Sequence, residues 1–330
     1  MAILVTGGTG LIGSEVVAQL LGRGEQVVVL SRSRRDINGA IVVQGDIRER
    51  GAVKKVVREC GADRIIHLAA FLSEDCEREP GIATEVNVNG TLNLLNAAVS
   101  CGVRRFAFAS SIALYGPGNI VFAEDTPPIG PVSLYGQTKQ LGEALCARFC
   151  ALHGLDYVAL RYGGVFGPGG EVRGSGMSGL RHLLKQTMWG QDVTLDGASG
   201  DECFQYIYVK DAAEATIRAL DKQDLTHRAY NIAGLLENYV SLKEFHEAIC
   251  RVVPEAGSVE FTGASHSGLR VSIDRIRDDI GFAPRLSVEE GLRDEYVRGG
   301  CNATHVDLAR AGIISIRKMD FDRQETRSGD

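Results

Sequence analysis

Residues 1–13 read MAILVTGGTGLIG, and this stretch decides the fold. An apolar run at 2–5 leads directly into four glycines and then into a helix-like run at 14–21. The glycines fit both GxGxxG and GxxGxxG. Glycines at a strand-to-helix turn let a phosphate approach the backbone, and the N–H groups of the next helix favour an anion there. The strand before and the helix after favour this interpretation over a chance glycine-rich loop. The stretch therefore predicts a dinucleotide site.

Composition excludes several other classes of function. Hydrophobic residues make up 44% of the 330 positions and charged residues 24%, which is typical of a globular enzyme. The net charge is -6, and no basic run accompanies aromatic residues, so no nucleic-acid partner is expected. No apolar stretch approaches the length that spans a bilayer, so no membrane partner is expected either. The eight cysteines show no CxxC pair and no zinc spacing, which predicts thiols in a reducing cytoplasm and no metal site.

Strand and helix patterns alternate from residue 1 to about 165. Several predicted strands are continuous apolar runs, as expected where helices cover both faces of a parallel sheet. The fold class predicted is α/β, with a Rossmann-type doubly wound parallel sheet. The predicted strands are 3–5, 26–30, 41–43, 64–68, 105–110 and 157–162, and the predicted helices are 11–22, 50–60, 84–101 and 135–153.

The texture changes beyond Gly167. Residues 163–200 are rich in glycine, which favours loops around a ligand cleft, and 204–220 returns to a strand followed by a helix. The sequence therefore predicts a smaller C-terminal α/β substrate-binding region. The expected division is a dinucleotide-binding domain at 1–165 with a returning segment at about 204–235, a substrate-binding region at about 166–203 and 236–315, and a polar tail at about 316–330.

Two downstream features carry acid–base chemistry. Ser111 lies at the end of a predicted strand, and Tyr135 and Lys139 lie four residues apart at the start of a predicted helix, on one face. A phenol has a reference pKa of about 10, and an adjacent ammonium together with an oxidised nicotinamide ring lowers it by favouring phenolate. A serine hydroxyl can hydrogen-bond an oxygen that changes between alcohol and carbonyl. The alternative is a surface Tyr and Lys on an amphipathic helix.

Eight ordered motifs make the chain resemble an extended short-chain dehydrogenase/reductase, a family that includes nucleotide-sugar 4-epimerases and dehydratases. They cover roughly residues 1–220, and a weaker match follows at 278–292. The motifs are TGGTGLIG (6–13), GDI (45–47), HLAA (67–70), NVNGT (87–91), SSIALYG (110–116), YGQTK (135–139), LRYGGVFGPG (160–169) and YIYVKDAAEA (206–215).

The resemblance implies a role for each matching position. Ser111 and Tyr135 would handle the proton and the substrate oxygen, while Lys139 would bind the nicotinamide ribose and tune Tyr135. Asp46 would accept a hydrogen bond from the adenine amine, and a helix N-cap is its alternative role. For Asn87, the alternative is a local hydrogen bond between the helix and backbone. The implied cofactor-binding residues are Gly7, Gly10, Leu11, Ile12, Ser31, Arg32, Asp46, Ile47, Leu68, Ala69, Ala70, Asn87, Tyr135, Lys139, Tyr162 and Gly163.

Departures from the family pattern narrow the range of reactions and substrates that the chain is expected to have. Dehydratases have Asp-Glu after the strand-end hydroxyl residue, whereas this chain has Ile112 and Ala113, so dehydration is not expected. Gly164 replaces an asparagine and Phe204 replaces an arginine that hold the diphosphate of nucleotide sugars. A phenyl ring makes no charge-assisted bond to phosphate. These changes argue against a nucleoside-diphosphate sugar, unless Arg173, Arg181 or Arg270 compensates.

The end of the second predicted strand bears on the cofactor. An NAD enzyme usually offers a carboxylate to the ribose 2′-hydroxyl there, but this chain has Ser31 and Arg32. Arginine suits a 2′-phosphate, so NADP is slightly favoured over NAD. The alternative is that these arginines belong to a solvated loop, and that either Asp36 or no charged residue there determines the nucleotide preference.

The combined prediction is an NAD(P)-dependent oxidoreductase. It would transfer a hydride between nicotinamide and a secondary alcohol or ketone of a small polar or sugar-like substrate, with Tyr135 as general acid/base. The alternative is an NAD-dependent sugar epimerase that uses the same residues with tightly bound cofactor. A non-catalytic dinucleotide sensor is disfavoured, since it has no need of a base. The resemblance further implies a homodimer paired through helices 84–101 and 135–153. Both helices carry more apolar residues than one core face needs, which burial deep in the core also explains.

Overall fold

Seven parallel strands form the main sheet of the protein. The computed structural model describes residues 1–116, 118, 120–126, 130–168, 177–264 and 268–298. The spatial order of the strands reverses between the first and the fourth in the sequence, which is the switch point where open α/β sheets bind ligands. Across the sheet the strands are β3 (Ile41–Gln44), β2 (Gln26–Ser31), β1 (Ala2–Thr6), β4 (Ala62–His67), β5 (Arg105–Ser111), β7 (Asp156–Tyr162) and β11 (Ala229–Ile232).

Helices cover both faces of this sheet. One face packs α1 (Leu11–Gly22) beside α8 (Val209–Asp221), and the other packs α2 (Arg50–Glu59) beside α5 (Thr91–Cys101). None of the helices in the described part of the chain is long and apolar enough to cross a bilayer. The helices are α1 (Leu11–Gly22), α2 (Arg50–Glu59), α3 (Ser73–Arg78), α4 (Pro80–Ala83), α5 (Thr91–Cys101), α6 (Leu134–His153), α7 (Met177–Met188), α8 (Val209–Asp221), α9 (Leu242–Val252) and α10 (Val288–Arg298).

Strand β1 shows why the sequence folds this way. Ile3 and Val5 join one hydrophobic cluster, while Ala2 and Leu4 join the other, and all four side chains are buried. Successive side chains of a strand point to opposite faces, so a strand covered on both sides must be apolar throughout. The predicted doubly wound parallel sheet is confirmed, and each of the six predicted strands lies in it within two residues of its predicted ends.

The predicted helix 84–101 is not uniform. Its first seven residues, Thr84–Gly90, form a π-helical segment, and the regular α5 begins only at Thr91. Wider helical turns of this kind often occur at functional sites. Here the segment carries Asn87 toward the chain that follows β4.

In the described part of the chain, three smaller sheets accompany the main one. Strand 203–208, which the sequence groups with the dinucleotide-binding domain, lies in a small sheet, whereas β11 lies in the main sheet. The proposed domain division stays a prediction, and the predicted tail 316–330 lies outside the described residues. The small sheets are β8 (Gly164–Phe166) with β10 (Cys203–Tyr208) and β12 (Tyr239–Ser241), β9 (Val193–Leu195) with β13 (Val259–Phe261), and β6 (Val121–Phe122) with β14 (Arg270–Val271).

Candidate active site

The glycine turn between β1 and α1 leaves no room for side chains. Gly7 has φ +72°, a backbone conformation that favours glycine, and its carbonyl accepts a hydrogen bond of 2.9 Å from the Gly10 N–H. A Cβ on Gly13 would lie 2.1 Å from the Gly7 carbonyl oxygen. The turn is therefore closed on itself, and helix α1 begins directly beside it at Leu11.

A cavity of about 680 Å³ opens at the carboxyl ends of the central strands. It is lined by the glycine turn and by the ends of β2, β4, β5 and β7. The structure thus brings nearly all of the predicted site residues to one cleft. Those that line it are Gly7, Gly10, Leu11, Ile12, Ser31, Arg32, Asp46, Ile47, Leu68, Ala69, Ala70, Ser111, Tyr135, Lys139, Tyr162 and Gly163.

Asn87 is the exception among the predicted site residues. It is buried and does not line the cavity. Its side-chain oxygen accepts a bond of 2.7 Å from the Phe71 N–H, and its amide nitrogen donates 2.9 Å to the Phe71 carbonyl. Both ends of the Asn87 amide therefore hold the backbone that forms the cavity wall, as in the alternative role of a bond to backbone, and the cofactor contact of Asn87 stays a prediction.

The far end of the cavity is polar. Asp46 accepts hydrogen bonds from the backbone and the guanidinium of Arg48, and this guanidinium is the main cause that lowers the pKa of the Asp46 carboxyl. Asp46 is not an N-cap, because Glu49 stands in that position before α2. Ser31 is buried at the end of β2 and Arg32 is exposed beyond it. This end offers both a carboxylate and a guanidinium to a ligand.

Ser111, Tyr135 and Lys139 meet at the other end. Helix α6 carries Lys139 one turn beyond Tyr135, and the Lys139 ammonium donates 2.7 Å to the Ala109 carbonyl of β5. The same ammonium lies 5.5 Å from the centroid of the Tyr135 ring. The Ser111 hydroxyl accepts a bond of 3.2 Å from the Ala113 N–H, which fixes it at the end of β5. The structure therefore brings the three residues together at the cavity, and their catalytic roles stay predictions.

Burial dominates the electrostatics of the set. It raises the pKa of Tyr135 to about 12, and a hydrogen bond with Ser111 acts in the opposite direction. Burial also lowers the pKa of Lys139 to about 8. In this structure loss of solvent is the largest cause and raises the pKa of the phenol above its reference value, whereas the lowering expected from Lys139 together with an oxidised nicotinamide ring stays a prediction.

Beyond the Lys139–Ala109 hydrogen bond, an ion pair also joins α6 to the sheet, one turn after Lys139. The Glu143 carboxylate accepts two bonds from the Arg161 guanidinium of β7, at 2.9 and 2.8 Å, and a further bond from the Ser110 hydroxyl of β5. The other end of Arg161 donates 2.8 Å to the Tyr115 hydroxyl. A bidentate, largely buried pair of this kind holds α6 in one register on β5 and β7.

Part of the cavity wall comes from late in the chain. Phe204, Gly268 and Leu269 line it, and only Phe204 was singled out from the sequence. Gln205 binds both the N–H and the carbonyl of Val271, at 2.9 and 3.2 Å. A Cβ on Gly268 would lie 1.5 Å from the Cys203 carbonyl oxygen, so this segment lies directly on β10. Nothing in the local sequence around Gly268 signals this contact.

His67 at the end of β4 was not predicted as a site residue, although it begins the HLAA motif. It is 2% exposed, and its ring nitrogens lie 2.7 Å from the Thr6 hydroxyl and 2.9 Å from the Thr91 hydroxyl. Burial, assisted by the charge of Lys139, lowers the pKa of His67 to about 3. The folded chain therefore keeps this ring neutral.

We expect His67 to make the protein less stable in acid. Below pH 6.5 the unfolded chain takes up a proton on this ring that the folded chain does not, down to about pH 3. The free energy of unfolding should therefore fall by about 1.4 kcal/mol per pH unit across that window from this group. The free energy of unfolding is measured by denaturant titration at several pH values in that range, and its slope against pH should be shallower for His67→Asn than for wild type. His153→Asn, at the exposed end of α6, should leave the slope unchanged; equal slopes for all three proteins would contradict the assignment.

Comparison with known proteins identifies the family. Residues 3–233 match the sequence model described as the NAD dependent epimerase/dehydratase family. The chain belongs to this family. The match covers the main sheet, the glycine turn and Tyr135 with Lys139, so the resemblance seen in the sequence is confirmed, and the protein is an enzyme of the extended short-chain dehydrogenase/reductase type.

Family relatives of two activities are similar to this chain over most of its length. The UDP-glucose 4-epimerase of Lactobacillus helveticus is 31% identical over 75% of this chain and 81% of its own. The structure of the Thermus thermophilus UDP-glucose 4-epimerase in complex with NAD is 30% identical, with a TM-score of 0.82 over 92% of this chain and 100% of that one. The holo form of an L-threonine dehydrogenase from Cupriavidus necator is 26% identical, with a TM-score of 0.81 over 90% and 99%.

Proposed function

We propose that this family member is an NAD(P)-dependent dehydrogenase or reductase acting on a secondary alcohol or ketone of a small polar or sugar-like substrate. The observation that carries the proposal is the meeting of Ser111, Tyr135 and Lys139 at one end of a cleft that a glycine turn also lines. The glycine turn fits a pyrophosphate because no Cβ obstructs the backbone there. Gly7, Gly10, Leu11 and Ile12 would hold the pyrophosphate, Asp46 and Ile47 the adenine, and Leu68, Ala69, Ala70 and Gly163 the rest of the cofactor.

The protein's own residues manage the proton. A bound NAD(P) supplies a hydride acceptor or donor. Tyr135 takes the proton from the substrate hydroxyl, or returns it, at its phenolic oxygen. Ser111 donates a hydrogen bond to the same substrate oxygen as it gains carbonyl character. Lys139, held on the Ala109 carbonyl, keeps positive charge beside the phenol and so favours loss of the phenolic proton.

The second candidate is an NAD-dependent sugar epimerase, as the names of several relatives indicate. The charged residues among those described as lining the cleft are Arg32, Asp46 and Lys139. The first two lie at the adenine end, and Lys139 is held on backbone. Phe204 and Leu269 face the substrate end, where a diphosphate would need charge-assisted donors. Arg270 lies over the Tyr239 ring at 5.4 Å, while Arg173 and the Arg181 side chain are outside the described residues. The described lining therefore favours the dehydrogenase.

One assay separates the two candidates. The protein is incubated with NAD and, in parallel, with UDP-glucose and with L-threonine, while NADH and UDP-galactose are both measured. Net NADH formation with either compound supports a dehydrogenase. UDP-galactose formed from UDP-glucose without net NADH contradicts it and establishes the epimerase.

The nucleotide preference follows from Arg32. We propose that NADP is slightly preferred over NAD, because an exposed guanidinium at the end of β2 suits a 2′-phosphate. Calorimetric titration of nucleotide-free protein should give a lower Kd for NADP, and Arg32→Ala should abolish the difference while leaving the NAD affinity unchanged. Arg34→Ala, in the same exposed loop, is the matched control. If wild type binds NAD as tightly as NADP, or if Arg32→Ala has no effect, this preference is wrong.

Two properties of the whole chain stay proposals. A homodimer through α5 and α6 is supported by Leu141 and Leu152, which are 45% and 55% exposed on α6. Leu94 and Leu95 of α5 are instead fully buried in the core, so they do not contribute to that surface. Sedimentation equilibrium tests the dimer, and a monomer at micromolar concentration would contradict it. The cytoplasmic location stays a prediction from the cysteine pattern, to be tested by cell fractionation.

A further inference from the structure

A chain of buried hydrogen bonds runs beneath the cleft from β1 to α6. It begins at Thr6, the residue before the glycine turn, and passes through His67 to Thr91. The Thr91 hydroxyl donates 2.7 Å to the Asn87 carbonyl. The Asn87 amide donates 3.1 Å to the Thr138 hydroxyl, which donates 2.8 Å to the backbone carbonyl of Tyr135. The five side chains that these hydrogen bonds connect are each at most 3% exposed.

The directions of these bonds are determined by chemistry. A carbonyl only accepts, so Thr91 uses its one hydroxyl proton on Asn87, and the His67 ring must donate to Thr91 through Nε2. A neutral ring has one N–H, so Nδ1 accepts, and the Thr6 hydroxyl donates to it. The Thr6 oxygen in turn accepts from the Ala69 N–H at 3.4 Å. Each hydroxyl thus donates once and accepts once.

Two segments that line the cleft are attached to this chain. Ala69 is bound at one end through Thr6, and Phe71 is bound at both its N–H and its carbonyl by Asn87. The first turn of α6 is bound at the other end through Thr138. The bonds therefore connect the wall at 68–71 to the turn that carries Tyr135, through residues that do not themselves face the cleft.

We propose that Thr6, His67, Thr91, Asn87 and Thr138 form a positioning network, with His67 fixed as the neutral Nε2–H tautomer, that holds wall 68–71 and the first turn of α6 in one register for cofactor binding. A fully satisfied buried network stabilises a single arrangement, whereas removal of one member leaves its partners unpaired in a low-dielectric interior. Its members are positioning residues, since none of them lines the cavity.

The matched pair Thr91→Val and Thr187→Val tests the network. Thr187 is also a buried helical threonine that donates to a carbonyl four residues back, in α7 and away from the cleft. Both variants lose one such bond, but only Thr91→Val also removes the acceptor of His67. We expect Thr91→Val to raise the Kd for NAD about tenfold, or about 1.4 kcal/mol, and Thr187→Val to leave it within about twofold of wild type. Thr91→Ser, which keeps the hydroxyl, should restore the wild-type Kd.

A wild-type Kd for Thr91→Val, or an equal loss for Thr187→Val, would overturn the proposal. A second measurement needs neither a variant nor a cofactor. Nitrogen-15 spectra of histidine-labelled wild-type protein show which ring nitrogen of His67 carries the proton, and the network requires Nε2. A proton on Nδ1, or a charged ring at neutral pH, overturns it. The proposal relies on the proposed function only for the NAD readout. If wild type binds neither NAD nor NADP, the proposed function fails, and the ring spectrum still decides the network.

Discussion

Tyr135→Phe should lower kcat by about 10²- to 10⁴-fold while leaving the Kd for NAD within about twofold of wild type. Among the described residues that line the substrate end of the cleft, Tyr135 is the acid–base group whose oxygen lies beside Ser111. Phenylalanine keeps the ring that packs near Lys139 but has no proton to exchange. Turnover is measured with whichever of UDP-glucose or L-threonine is active in wild type, and NAD binding is measured by calorimetry.

Tyr157→Phe is the control for this change. Tyr157 is a buried tyrosine near the start of β7 that belongs to the core and does not line the cleft. It tests whether loss of a phenolic hydroxyl elsewhere in the sheet reduces turnover through stability alone, and we expect near-wild-type kcat. If Tyr135→Phe retains more than about a tenth of the wild-type kcat, another group moves the proton and the role given to Tyr135 is wrong.

Gly13→Ala should raise the Kd for NAD at least about 100-fold, or about 2.7 kcal/mol. The added Cβ would stand 2.1 Å from the Gly7 carbonyl oxygen and 2.8 Å from the Gly8 Cα, and both contacts are to backbone. The turn must therefore open, which moves the N–H groups that would face the pyrophosphate. The strain should also lower the free energy of unfolding by about 1–3 kcal/mol, measured by denaturant titration.

Gly22→Ala is the matched control at the other end of the same helix. Apart from its chain neighbours and the backbone of its own helix, no heavy atom of the described residues lies within 4 Å of the Cβ it would add, and Gly22 is exposed in the last turn of α1. Alanine there should raise the free energy of unfolding by about 0.5–1 kcal/mol and leave NAD affinity unchanged. The interpretation of the glycine turn would be wrong if both variants bound NAD equally well.

The main sheet could be predicted from the sequence because its determinants are local. Ala2–Val5 and several other strands of the main sheet are continuous apolar runs, and the glycine turn stands between a strand and a helix. Tyr135 and Lys139 are one helical turn apart, so their proximity follows from the helix alone. These features depend on spacing within a few residues, which is the information that a single sequence carries.

The remaining features depend on contacts between distant segments. Gly268 and Leu269 reach the cleft because Gln205 binds Val271, which is 66 residues away in sequence. The π-helical segment directs the Asn87 amide to the Phe71 backbone, 16 residues away in sequence. The rise in the pKa of Tyr135 follows from burial, which no motif records.

The cavity lining draws Phe204 and Leu269 from late parts of the chain, and this has an evolutionary consequence. Cofactor-end residues come from the first 163 positions, whereas Phe204 and Leu269 belong to segments that join small sheets outside the main one. Mutation, insertion or recombination in those later segments can remodel what the enzyme accepts while the nucleotide half keeps its sequence. Two activities on one scaffold, as in the epimerase and dehydrogenase relatives, are the outcome expected when different segments of a chain line different parts of one cleft.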